Sequence, residues 1–128
     1  MSYYTHKTLE GNFEQILEKV TGALKEEGFG VLSDIDVKET MKKKLDVNFR
    51  NYRILGACNP PNAYKALSAE PYIGLMLPCN VVVQETAEGK IDVSAVNPVA
   101  SMTAVDNKDL EQVATHIKEK LEKVIHNL

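Results

Sequence analysis

Cysteine is scarce, with two residues in 128, and there is no tryptophan. Two thiols are too few for a disulfide scaffold, and the chain is expected to keep them reduced. A basic excess is also missing. Fifteen Lys and Arg stand against eighteen Asp and Glu, for a formal charge of -3, so binding of nucleic acid through phosphate neutralisation is not expected. No hydrophobic run approaches the ~20 residues that cross a bilayer. The longest, Tyr72 to Val83, is broken by Gly74, Pro78, Cys79 and Asn80, and no membrane association is expected. The opening MSYYTHKTLEGNF has no basic patch leading into an apolar stretch, so no secretory signal is read and a cytoplasmic location is expected. Repeats and low-complexity linkers are absent too.

What is present is an ordinary globular composition, 44% hydrophobic and 26% charged, in a length that suits one domain over residues 1–128. Tyr3 to Thr8 reads as a strand. Asn12 and Gln15 have capping-box spacing, and Phe13, Ile16, Leu17, Val20 and Leu24 form one stripe, so a helix is predicted over Phe13 to Glu27, closed by Gly28. Phe29 to Ile35 reads as a strand returning beside the first. Asp36 and Glu39 cap a short helix bearing Val37, Met41 and Leu45; its Lys42, Lys43 and Lys44 read as a solvated face rather than a phosphate site.

Phe49 to Ala57 is a further predicted strand. Asn59 as N-cap with Pro60 at the first helical position starts a helix through Leu67, with Ala63, Ala66 and Leu67 facing inward. Pro71 to Met76 fits either extended chain or a helical turn. Cys79 to Thr86 and Lys90 to Val96 form a hairpin about Ala87-Glu88-Gly89. After the Asn97-Pro98 break, Val99 to Ala104 is expected to be extended. Asp106 is expected to cap a last helix whose stripe is Leu110, Val113, Ala114, Ile117, Leu121, Val124, Ile125 and Leu128. The fold class is therefore α+β: one antiparallel-rich sheet entered by strand, helix, strand, with short helical inserts, a long C-terminal helix, and the helices on one face.

No Ser-His-Asp motif, phosphate-cradling glycine loop or HExxH helix occurs. Two Cys-Asn pairs stand out instead, Cys58-Asn59 and Cys79-Asn80, each where an apolar stretch meets a turn. Turn chemistry accounts for Asn59, Pro60 and Pro78 but leaves both thiols unexplained. A cysteine ahead of a helix with free amides would favour thiolate. If the two strand ends are neighbours, the thiols converge, and three chemistries follow: dithiol–disulfide exchange, soft-metal binding, or a nucleophile with a resolving partner. His6, His116 and His126 lack ligand-like spacing to either cysteine. Arg53 could hold a carboxylate or phosphate, although pairing with a nearby acid is the simpler role.

The run Tyr52-Arg53-Ile54-Leu55-Gly56-Ala57-Cys58-Asn59-Pro60, followed by Ala63, Leu67 and Ile73-Gly74-Leu75-Met76-Leu77-Pro78-Cys79-Asn80-Val81-Val82-Val83, resembles the signature of the family called domain of unknown function 302. The motifs span about Tyr52 to Pro98, and the flanking helices extend the resemblance over nearly the whole chain. The resemblance implies a compact α+β fold with helices on an antiparallel sheet, and a homodimer. It implies no activity. The leading expectation is a small-ligand or soft-metal binding module. Its candidate site comprises Cys58, Asn59, Cys79, Asn80 and Arg53, with Cys58 and Cys79 as the candidate metal ligands. The alternative is a thiol enzyme in which Cys58 attacks and Cys79 resolves, and a third reading is an interaction protein whose cysteines only pack.

Overall fold

The computed structural model describes residues 2–128. Five strands, β1 (Tyr4–Leu9), β2 (Gly30–Asp36), β3 (Tyr52–Cys58), β4 (Cys79–Glu85) and β5 (Ile91–Val96), form one sheet in the order β1-β5-β4-β3-β2. Every neighbouring pair is antiparallel. The α+β expectation is met, but β2 does not lie beside β1. The two are parallel and occupy opposite edges, with three strands between them.

Geometry explains the displacement. Four inter-strand steps of ~4.8 Å make a sheet ~19 Å wide. The connecting helix α1 (Phe13–Glu26) has 14 residues, and at ~1.5 Å per residue it spans that width. Asn12 caps α1 by accepting from the Gln15 amide at 3.1 Å. Its exit is closed by Gly28, whose φ of 83° suits a residue without Cβ, with Phe29 N–H bonding Leu24 O and Gly28 N–H bonding Lys25 O. These are the paired bonds that satisfy a helix's last carbonyls.

Side-chain alternation divides the sheet into two faces. Leu55, Ala57, Cys79, Val81, Val83, Ile91, Val93 and Ala95 are buried against α1 and the long helix α5 (Lys108–His126). The intervening residues Tyr4, His6, Asn80, Val82, Gln84, Asp92 and Ser94 belong to the uncovered face. The α5 stripe is buried as its periodicity requires, and Lys7 Nζ fastens its end by donating to the carbonyl oxygens of His126 and Leu128 at 3.1 and 2.6 Å. A cation there also complements the negative helix terminus.

Three local expectations are corrected and one open alternative is settled. Val99 to Ala104 is not extended: Pro98–Ser101 is the short helix α4, and Asn97 Oδ1 accepts from the Val99 and Ala100 amides. The same Asn-Pro device starts α3 (Pro60–Ala69). The cap of α5 is Asn107 rather than Asp106, accepting from Asp109 N–H at 3.0 Å. Pro71–Met76 takes the helical option as a 3₁₀ turn. Leu67 is 46% exposed rather than part of the core, while Ala66 takes the buried position. The remaining helix α2 (Val37–Leu45) lies near β3 and buries none of its residues.

Candidate functional site

The two unusual motifs meet at one end of β3 and β4. Ala57 is the cross-strand partner of Cys79, so Cys58 lies one step past the pair. The residues beside Cys58 in the first motif have identifiable tasks. A Cβ on Gly56 would lie 2.7 Å from Pro78 Cγ and press on Ser33 Oγ, so glycine permits the close approach. Ala57 is buried against the helix layer. Asn59 Oδ1 caps α3 by accepting from the Asn62 amide at 3.3 Å and also takes a bond from Asn62 Nδ2 at 2.9 Å. Its own Nδ2 points to Glu27 O at 3.4 Å, tying the end of α1 to the start of α3. Asn59 is thus a structural tie whose polar atoms are already engaged.

Only the sulfurs are left without such a task, and both line one cavity of about 220 Å³. Phe29, Leu77 and Ile117 supply apolar walls, with Ala63 and Leu67 of α3 on another side. A bulge in β2 between Val31 and Ser33 places Leu32 at the cavity, where it remains 69% exposed. Bulges re-aim side chains in this way. Cys79 is buried and Cys58 half-buried, and both are free thiols. Burial, reinforced by the neighbouring Cys58, pushes the Cys79 thiol up to about 11, so it is protonated at neutral pH.

The start of α3 gives Cys58 no hydrogen-bond donors of the kind expected. Its first two residues are Pro60 and Pro61, which have no N–H. The Asn62 amide is taken by Asn59 Oδ1 and the Ala63 amide by Asn59 O. The free amides that would have supported a thiolate are therefore absent at this terminus.

The remaining candidates lie elsewhere. Asn80 is on the uncovered sheet face, in a groove of about 460 Å³ with Tyr4, His6, Tyr52 and Ser94. Alternation separates it from Cys79 as neighbours on a strand. Arg53 is at the other end of β3, ~17 Å away at ~3.3 Å per residue. Its Nη1 meets Asp34 Oδ2 at 2.9 Å and its Nε meets Asp36 Oδ2 at 3.4 Å, so its partners are aspartates of β2. The structure brings together Cys58, Asn59 and Cys79, and leaves out Asn80 and Arg53. No group of three or more His, Cys, Asp or Glu positioned for a metal occurs among the described residues.

Sequence reading missed the walls. Leu32 lies outside both motifs, Leu77 stands in the second motif without marking a wall, and Ile117 belongs to the α5 stripe, where periodicity marks burial without distinguishing core from cavity. A second feature passed over is on the open face, where His6 Nδ1 meets Asp92 Oδ1 at 2.8 Å and Thr8 Oγ1 donates to the same oxygen at 3.2 Å. Its signal was the polar alternation of β1 and β5.

A five-stranded antiparallel sheet with helices on one face and a thiol-lined apolar cleft at the β3–β4 end defines a small two-layer α+β domain. The chain belongs to the family described as Domain of unknown function DUF302, whose model matches residues 4–128. It is similar over 98% of its length, and 98% of the other chain, to the crystal structure of an uncharacterised conserved protein DUF302 from Bacillus stearothermophilus, at 25% identity and a TM-score of 0.91. No curated protein matches it.

Proposed function

We propose that this domain is a small-molecule binding module whose site is the cleft between the Gly56–Pro60 and Leu77–Asn80 segments. The observation that carries the reading is convergence: two motifs distant in sequence place both thiols on the wall of one apolar cavity. Ligand sites are concave, mostly apolar and furnished with few polar groups. A cavity of ~150 Å³ lined by aliphatic residues accommodates benzene, so about 220 Å³ suits a ligand of one ring, a small fused pair of rings or a short alkyl chain.

The chemistry of the wall favours a neutral ligand. No charged side chain lines the cleft, and the Asn59 amide is committed to α1 and α3. An ionic ligand would lose its hydration without compensation. A soft metal is less well served, because two sulfurs are the only soft donors there and Cys79 must first release a tightly held proton. A resolving role for Cys79 meets the same obstacle.

Isothermal calorimetry with benzene and indole tests the reading, with cadmium as a parallel arm. Saturable binding of an aromatic probe, abolished by Leu67→Asp at the cleft, is expected. Absence of binding by both aromatic probes would remove the proposal. Tight cadmium binding lost in Cys58→Ser would replace it with the metal reading.

A further inference from the structure

We propose that Cys58 captures small apolar disulfides as a persistent mixed disulfide, with the alkylthio group lodged in the cleft beside Cys79; this rests on the small-ligand reading above. In the step, the Cys58 thiol gives its proton to solvent and the thiolate Sγ attacks one sulfur of RSSR. The Cys58–S bond forms as the S–S bond breaks, and the departing RS⁻ takes a proton from solvent to leave as RSH. The low-molecular-weight disulfide is the oxidant; no other co-reactant is needed.

The disulfide class follows from what the site lacks. Acyl transfer needs donors aimed at a developing oxyanion, and the α3 terminus has its first amides missing or engaged. Phosphoryl transfer needs cationic groups, and none lines the cleft. Thiol–disulfide exchange needs only a thiolate and access to a sulfur, and its charge is spread over three sulfur atoms. An apolar wall tolerates that spread charge better than a localised one.

Persistence follows from the unequal burial of the two thiols. Cys79 is 4% exposed, opposite Ala57 in the helix-covered core, whereas Cys58 is half-buried at the strand end. An attack by Cys79 on the Cys58 mixed disulfide needs its thiolate to form among apolar side chains without hydration. The same burial holds its proton more tightly than in a free thiol.

Intact-mass spectrometry of the full chain tests this with diethyl disulfide, di-n-butyl disulfide and the dicationic cystamine. With a protein charge of -3, electrostatic attraction favours cystamine, so an apolar preference reports the cleft itself. One alkylthio adduct is expected, mapped to Cys58 and lost in Cys58→Ser. Its rate should rise about 3- to 4-fold for each methylene added to the alkyl group until the cleft is filled, from the ~0.8 kcal/mol of a buried CH₂. The adduct should be retained in Cys79→Ala, and Leu67→Asp should flatten the chain-length dependence. Equal rates across the three disulfides, or prompt conversion of the adduct to a Cys58–Cys79 disulfide, would overturn the proposal. Benzene or indole binding that survives either result leaves the small-ligand reading standing, so the two failures are distinguishable.

Discussion

Raising the pH isolates the energetic cost of burying Cys79. Its thiol moves from 9.0 to about 11 on folding, chiefly through burial and secondarily through Cys58. The raised group is an acid, so the unfolded chain loses this proton first. Between those two values it binds fewer protons than the native state, and stability must fall as pH rises. Two pKa units correspond to about 3 kcal/mol in full. Most of it is lost by about pH 10.5, where linkage gives about 2 kcal/mol relative to pH 8. Urea unfolding of wild type and Cys79→Ala at both pH values separates this group from the Tyr and Lys residues that titrate in the same range, since those are common to both chains. Wild type should lose about 2 kcal/mol more than the variant, seen as a lower midpoint at unchanged m. Equal losses in the two chains would refute the claim that Cys79 is a buried, protonated wall of the cleft.

Three further outcomes follow from the same geometry. Asn59→Ala removes a helix cap and leaves the buried Asn62 amide group without its 2.9 Å partner, for a loss of about 2–3 kcal/mol in urea unfolding; Asn59→Asp, which keeps the acceptor, should recover most of it. Gly56→Ala should cost about 1–3 kcal/mol by overpacking, and adding Ser33→Ala should recover only part, because the Pro78 ring is still 2.7 Å from the new Cβ. Arg53→Ala and Asn80→Ala should leave the calorimetric affinity for indole unchanged, since both lie outside the cleft; a several-fold loss in either would reinstate the wider site.

The parts of this protein legible from sequence are those governed by local chemistry. The α1 and α5 stripes, the Asn12 and Asn59 caps and the β4–β5 hairpin all follow from spacing over a few residues. The strand order did not, because nothing in α1 records that its length matches the sheet width and carries β2 to the far edge. The Asn97-Pro98 pair reads as a break only in isolation; it repeats Asn59-Pro60, and in both places the asparagine caps a helix that starts at the proline. At the site, convergence of Cys58 and Cys79 could be anticipated from two strand ends of similar character. Exclusion of Asn80 could have been anticipated as well, since strand alternation sends it away from Cys79. The walls could not: Leu32 reaches the cleft only through a bulge, and Ile117 only because α5 passes beneath that end of the sheet.

The most direct measurement is a map of amide shift changes by two-dimensional ¹H–¹⁵N NMR as indole is added to the intact chain. The cleft account predicts saturable shifts concentrated at Ala57 to Asn59, Ala63, Leu67, Leu77, Cys79 and Ile117. Shifts gathered instead around Tyr4, His6, Asn80 and Ser94 on the open sheet face, with the cysteine-bearing end silent, would contradict it.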